Sequence, residues 1–556
     1  MEFHLTIDFG DDILYAKQEW TEEWLRKLVR GYGERGISAV HILHTHDLAR
    51  AGAWAGYNSY FQFLDKVPNP IAVVADECHK HGMLCYSVIK FNDRYGGMPF
   101  APGPVTYNSK GEIEQDFLGG KARWKNPWVR DHQNMRAELH PLLQEKYPRK
   151  PIGTIRLWHE GQNLQGTNFK IYTSQNNREY FPYLGPQKVT VIDQKRKPPV
   201  YTPAPDLIFG PEGVFTCIEF TGLKIDAPFF AIEANGGTEL ANTLSALTEI
   251  QDVDGKEAIF TYGVVPLIVS LLDKSQRENW KKNGIAFDAA KGSDFPGRGC
   301  HFMSSGGRHR LEVKKRGFVG FARGRNRYLT AVLELANPEA RNWCAETAKF
   351  AVDSGCDFVD IRMNTHTESL DWENYGFGDP IVEEYKRRYG KDITKDPFDR
   401  ALWRCLRGEY VNQTIKAMGD VMRSSGRKVS VQLLDRFNHP PDELCFMEFF
   451  WDWKKWLTEG LVDSATLAGF SWKDPFYKEA IETCKANNIP LIMTPAMFDA
   501  NDDDWKRDGP IYFDAGEKDG FHAFNIYESA AVSLLDVDGL YFTCPSLWKM
   551  IKERKK

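Results

Sequence analysis

A chain of 556 residues exceeds what one simple core organises, and it predicts two or three domains or one large domain carrying an insertion. Its 42% hydrophobic and 26% charged content excludes a disordered polymer. A formal net charge of −5 excludes a global pull towards nucleic acid or an anionic membrane, so any anion binding must come from local patches. The 10 cysteines form no CxxC pair and no zinc-type spacing, which predicts buried thiols and no metal or other cofactor. No apolar run reaches the roughly 18 residues of a membrane span. The first residues already read as a strand, without a signal peptide, so the expected location is cytoplasmic, or outside the cell with a leader removed. Oligomeric state is left open.

In chain order, Phe3 to Phe9 alternates, with Phe3, Leu5 and Ile7 on one side and His4, Thr6 and Asp8 on the other. An amphipathic helix follows from about Thr21 to Arg35. A second strand, Ile37 to His44, ends in His44-Thr45-His46-Asp47, and a helix near Pro70 to His81 leads into MLCYSVIKFND, whose end offers Lys90, Asn92 and Asp93. Three such repeats predict a parallel sheet or a β/α barrel.

The rhythm changes near residue 150. IGTIRLW, NFKIYTS, KVTVID, VFTCIEF and FFAIEA are short strands separated by turn residues, the pattern of an inserted β-sandwich domain spanning 150–265. VVPLIVSLLDKSQRENWKKNG then reads as a helix returning to the barrel. Pro338 starts a helix that Gly355 ends. The fourth strand, from Cys356, places Asp360, Arg362 and Asn364 on one face and Val359, Ile361 and Met363 on the other. A helix over Asp399 to Ser424 precedes KVSVQLLD, the fifth strand. VDSATLAGF, IPLIMTPAMFD and GLYFTCP read as the sixth, seventh and eighth. The count predicts an α/β protein, a (β/α)8 TIM barrel formed by 1–149 and 266–556 with the insertion in the third βα loop.

Active sites of such barrels lie at the carboxyl ends of the strands. That rule nominates Asp8, His44, Lys90, Asn92, Arg362, Asn364 and His366 as substrate-binding groups, and Asp360, Glu368, Asp435 and Asp499 as catalytic carboxyls. A solvated loop is the competing reading for each. Asp360, Arg362 and Asn364 stand apart because they would point into the barrel, where an unpaired charge is costly. Glycosidic hydrolysis needs one protonated carboxyl to assist the leaving group and one ionised carboxyl to attack or activate water. Glu368, at the end of strand four, is the expected acid, with Asp435 or Asp499 facing it. Trp451, Trp472 and Trp505, near loops after strands, are cleft candidates for stacking on sugar rings, whereas Trp453 and Trp456 read as core. The basic run Arg308 to Arg327 offers a receptor for sulfate or uronate groups or a plain solvated hairpin. NDDDW (Asn501 to Trp505) reads as a solvated acidic loop or, less simply, a calcium loop.

The succession NGIAFD, GFARGRNRYL, LANPEAR, FVDIRMNTHTES, YGFGDPIVEEYKRRYGKDI and WDWKKWLTEGLVD resembles the bacterial glycosyl-hydrolase-like TIM-barrel family, related to glycosyl-hydrolase-like family ten. The resemblance covers roughly 1–100 and 280–545. It implies a (β/α)8 fold and a carbohydrate substrate, with hydrolysis of a polysaccharide or oligosaccharide, an anionic one included; charge and the lack of a long apolar run set the expectation of no nucleic acid or membrane partner. A non-catalytic carbohydrate-binding barrel, and a polysaccharide lyase or metal-dependent enzyme on the same scaffold, are the alternatives.

Overall fold

The structure, a computed structural model, describes residues 1–44, 49–50, 58–93, 95–96, 106–107, 113–114, 124–144, 149–160, 166–175, 179–196, 213–234, 248–258, 260–264, 270–271, 285–288, 318–363, 372–443, 445–470, 474–495, 497 and 500–555. Eight parallel strands close into a barrel: β1 (Glu2–Ile7), β2 (Ala39–Leu43), β3 (Leu84–Ile89), β4 (Phe358–Ile361), β5 (Lys428–Leu433), β6 (Ser464–Phe470), β7 (Leu491–Pro495) and β8 (Ala523–Tyr527).

Alternation assigns the two faces of each strand. Phe3, Leu5, Ile7, Val40, Ile42, Val359, Ile361, Val429, Val431, Phe524 and Ile526 are buried in the layer shared with the helices. Burying a side chain of this size contributes about 1.5–3 kcal/mol, so this layer holds the barrel shut. The inner face is different. Barrel interiors are usually filled by branched aliphatic side chains, and here Ala39, Tyr86, Phe358, Ile492 and Ala523 form a small apolar plug. Next to it, His4, Thr6, His41, Asp360, Arg362, Ser430, Gln432, Ser464, Thr466, Thr494 and Asn525 are all buried.

The helices begin where their caps predict. Thr21 caps Glu22–Glu34, Asn69 caps Pro70–Lys80, Asn337 caps Pro338–Asp353 and Asp399 caps Arg400–Ser424, each side chain accepting from a backbone N–H of the first turn. NDDDW is the start of a helix, Asp502–Lys518. Asn501 accepts from the N–H groups of Asp503 and Asp504, and Asp504 accepts in return from the N–H of Asn501. Its acidic residues complement the positive end of the helix dipole.

The eighth strand is Ala523–Tyr527, one element earlier than expected. GLYF, at Gly539–Phe542, instead closes an antiparallel hairpin with Ser533–Asp536 outside the barrel, across the two-residue loop Val537-Asp538. Between β3 and β4, all five predicted β-stretches are strands. They belong to a four-stranded and a seven-stranded sheet, whose facing side chains, Ile155, Leu157, Ile218 and Phe220 from one and Ile171, Phe230, Ile232 and Phe321 from the other, share one core. The seven-stranded sheet includes Ile285–Asp288 and Phe318–Arg323, beyond residue 265. Phe260–Val264 is a strand, and so is Ser270–Leu271, which lies inside the stretch 264–284 expected to be helical; the rest of that stretch beyond Val264 lies outside the described residues. No helix among the described residues is long and apolar enough to cross a membrane.

One glycine marks how tightly the helix Arg400–Ser424 is seated. A Cβ at Gly408 would lie 2.2 Å from the Phe450 carbonyl oxygen and 3.1 Å from its carbon, both rigid backbone. Gly408→Ala is therefore expected to destabilise the fold by about 1–3 kcal/mol, despite a helix-propensity gain of up to about 1 kcal/mol. Urea denaturation measures it.

Candidate functional site

The carboxyl ends of β1 and β8 lie side by side, because these strands close the barrel. Asp8 follows β1, Asp11 lies in the short helix Phe9–Tyr15, and Glu528 follows β8. One carboxylate oxygen from each lies within 4.8 Å of the other two. Asp11 is buried, and Asp8 and Glu528 are half-buried. Asp12, next to them, is buried and accepts from the Ser529 hydroxyl at 2.5 Å. Burial, with the charges of Asp11 and Asp8 adding to it, holds the Asp12 carboxyl well above the usual carboxylate range. The phenol of Tyr527 is likewise pushed up, first by burial and then by the charge of Glu528.

Beneath this mouth runs the polar interior. Arg362 donates from Nε and Nη2 to Asp360 Oδ2, at 3.0 and 2.8 Å, and from Nη2 to Thr6 Oγ1 at 3.2 Å. Its guanidinium carbon lies 5.5 Å from the centre of the Tyr527 ring. Asn525 donates to Thr6 and Thr494. The same Asp360 oxygen is 3.0 Å from His41 Nδ1. Although burial opposes it, the charge of Arg362 and the hydrogen bond from His41 bring the Asp360 carboxyl down to about 2. This carboxylate is thus held as an anion and is a poor proton donor. Burial lowers His41 to about 4.

These two groups set an acid-side stability profile. His41 is depressed from 6.5 in the unfolded chain to about 4, so the unfolded state binds more protons between those values. Its contribution is complete above pH 6.5 and is lost as pH falls through 4. Asp360 is depressed from 3.8 to about 2, so its contribution is present above 3.8 and lost as pH falls through 2. Denaturation midpoints are expected to fall from pH 6.5 downward and to do so less steeply in His41→Gln. Each tenfold loss of proton affinity on folding corresponds to about 1.4 kcal/mol, so the imidazole contributes on the order of 3 kcal/mol.

The remaining nominated residues are dispersed. Period-two parity puts His44 on the outer face with Val40 and Ile42. There it lies 3.2 Å from the Ser87 hydroxyl and edge-on to Phe350, away from the mouth. Lys90 lies 3.9 Å from Asp93, and Asn92 is buried, accepting from the Leu333 N–H. Asp435 is exposed after β5 and accepts from the Arg436 N–H. Trp451 and Trp505 are core side chains rather than cleft walls. Trp451 donates to the Phe446 carbonyl and stacks on Phe437, and Trp505 packs between Phe513 and Phe524. Trp453 and Trp456 are core as expected. From the basic run, Arg323 is buried and donates to the Lys150 carbonyl, and Arg327 pairs with Glu138. Asn364, His366, Glu368, Trp472 and Asp499 lie outside the described residues.

Asp11, Glu528 and the His4–His41 pair are the groups that strand-end reasoning missed. A second buried ionic cluster was missed too: Arg404 pairs with Glu448, and Arg407 donates to the carbonyls of Met447 and Glu448 and lies 3.2 Å from Glu334. It ties the segment after β5 to the helix Arg400–Ser424.

No family model matches the chain, and no curated protein does. Among solved structures, it is similar to the catalytic domain of a β-amylase from Paenibacillus polymyxa, with 6% identity and a TM-score of 0.37 over 96% of this chain and 93% of that one. It is also similar to a β-galactosidase from the psychrophilic Marinomonas ef1, with 10% identity and a TM-score of 0.35 over 100% of this chain and 60% of that one. A third is a GH20 exo-β-N-acetylglucosaminidase from Vibrio harveyi, with 6% identity and a TM-score of 0.30 over 90% and 42%. At these TM-scores the likenesses bear no functional argument.

Proposed function

We propose that the chain is a glycoside hydrolase acting on a polysaccharide or oligosaccharide at the carboxyl end of its barrel. The observation that supports this reading most is the convergence of Asp8, Asp11 and Glu528, with oxygens within 4.8 Å, where β1 and β8 end. Two carboxyl groups about 5–5.5 Å apart are what a retaining glycosidase uses, one to protonate the leaving oxygen and one to attack the anomeric carbon. Glu528, on the longer side chain, is assigned the donor role and Asp8 the nucleophile; Asp360, ionised against Arg362, is not assigned the donor role. Glu368, Asp435 and Asp499, which follow strands four, five and seven in sequence, remain candidates. Arg362 and Asn92, both buried, are read as supports of the site and not as direct hydroxyl-binding groups. The two sheets between β3 and β4 are read as an inserted β-sandwich domain that Phe318–Arg323 completes.

The test is release of reducing ends from a panel of neutral, uronate-bearing and sulfated glycans, run on the unmodified chain and on Glu528→Gln, Asp8→Asn, Glu368→Gln, Asp435→Asn and Asp499→Asn. Binding without turnover in the unmodified chain overturns the reading in favour of a carbohydrate-binding barrel. The same three carboxylates also suit a hard divalent cation, which takes oxygen ligands. Turnover that a chelator abolishes supports that second reading, a metal-dependent enzyme on this scaffold.

A further inference from the structure

A line of ionisable groups runs through the barrel from its closed end to the floor of the mouth. Glu2 opens β1 at the base, with its side chain 43% exposed. His4 Nε2 lies 3.5 Å from Glu2 Oε2, His4 Nδ1 lies 3.1 Å from His41 Nε2, and His41 Nδ1 lies 3.0 Å from Asp360 Oδ2. Both imidazoles and Asp360 are completely buried. Strand register makes this possible: His41 is level with Thr6, one inward position above His4, and Asp360 is held from the far side by Arg362.

The protons in this line can be counted. Three links need three hydrogens, and two neutral imidazoles supply two. Asp360, ionised against Arg362, accepts from His41 and so fixes it as the Nδ1–H tautomer. His41 Nε2 is then an acceptor, which fixes His4 as Nδ1–H as well. His4 Nε2 is left as a lone pair facing a carboxylate oxygen. That link is the longest of the three, and His4 Nε2 is the atom of the line's imidazoles that has no hydrogen-bond partner.

We propose that Glu2, His4, His41 and Asp360 form a single-proton line, which takes up one proton from solvent at the base of the barrel and resets the charge that faces Arg362 beneath the mouth. The step is a plain proton transfer. A hydronium O–H bond breaks, releasing water, as its proton passes to the Glu2 carboxylate; that carboxyl O–H then breaks as the proton bonds to the lone pair of His4 Nε2, and no other covalent bond of the chain changes. The added charge is shared along the Nδ1–H···Nε2 and Nδ1–H···Oδ2 links, which stay intact. Without it, the four groups carry two negative charges against the one positive charge of Arg362; with it, they carry one and the line is neutral as a whole.

The surrounding groups set how readily it loads. Asp360 and Glu2 favour the added proton. His522, 3.7 Å from Glu2 Oε2, with Lys555 at the same end and Arg362 at the other, disfavours it. The Tyr86 ring stacks on His41, with centroids 4.1 Å apart, and lies 5.6 Å from His4, keeping water from both. Burial holds both imidazoles below their ordinary range, so loading belongs to the acid side.

The test is side-chain nitrogen NMR on the full chain labelled with 15N-histidine, with signals assigned through His4→Gln and His41→Gln. At neutral pH both rings are expected as neutral Nδ1–H tautomers. On acidification the two are expected to shift together with one proton taken up between them. Glu2→Gln, an exposed change that turns the facing atom into an N–H donor, closes the open link without a proton and is expected to abolish the shared uptake. An Nε2–H tautomer at His41, two separate one-proton titrations, or an uptake unchanged in Glu2→Gln would each overturn the proposal.

Discussion

Arg362→Met is expected to destabilise the chain by about 3–5 kcal/mol, the cost of leaving a partner charge buried and unpaired. Arg362 is 1% exposed and Asp360 is fully buried, so neither can reach solvent when the other is removed. With the guanidinium gone, the Asp360 carboxyl loses the largest influence that holds it down to about 2, and it is expected to take up a proton on folding. Guanidinium denaturation should then show stability rising as pH falls towards the ordinary carboxylate range, opposite to the unmodified chain. The double variant Asp360→Asn with Arg362→Met removes both charges and is expected to recover most of the loss, because a buried pair replaced by groups of similar volume is often neutral. Equal losses in the single and double variants would show that packing, and not charge, holds this layer.

The second large effect is on turnover. Removing a positioned general acid or a nucleophile costs about 10²–10⁴ in rate for proton transfer alone, and more when the covalent step is lost. Glu528→Gln and Asp8→Asn are each expected to reduce glycan hydrolysis by at least about 10³ while leaving thermal unfolding within a few degrees of the unmodified chain. Both side chains are half-buried at the mouth, outside the packed layer that supplies most of the stability. Asp435→Asn, at an exposed position, is expected to have the smallest effect among the carboxylate variants.

Much of the scaffold is legible in residue order, because it follows from local rules. Alternation in Phe3 to Asp8 and in Val359 to Met363 gives both faces of β1 and β4, and the caps at Thr21, Asn69, Asn337 and Asp399 give helix starts. What fails is competition between similar local signals. AFNIY and GLYF are both short and β-prone, and only the pairing of Phe3 with Phe524 and of Met493 with Phe524 selects the first. Misplacing that strand also hides Glu528, which the strand-end rule would otherwise nominate. Asn501 to Asp504 reads as a loop by composition and is a reciprocal cap by geometry.

The site is less legible than the fold. Asp8 follows from the strand-end rule alone, whereas Asp11 depends on a helix turn that brings it back over the mouth. The parity that turns His4 inward is visible in sequence, but its distance from His41 depends on the register between β1 and β2. His44 shows the same parity working in the other direction: one residue beyond β2, it faces Phe350 and not the mouth.

Carboxyl groups at the junction of β1 and β8 are proposed to hydrolyse a glycosidic bond. The most direct test is the initial rate of reducing-end release by Glu528→Gln beside the unmodified chain, on whichever glycan of the panel the unmodified chain cleaves, with folding checked by circular dichroism. The expected result is a folded variant whose rate falls by at least about 10³. A folded Glu528→Gln that cleaves the same glycan at the unmodified rate would contradict the claim.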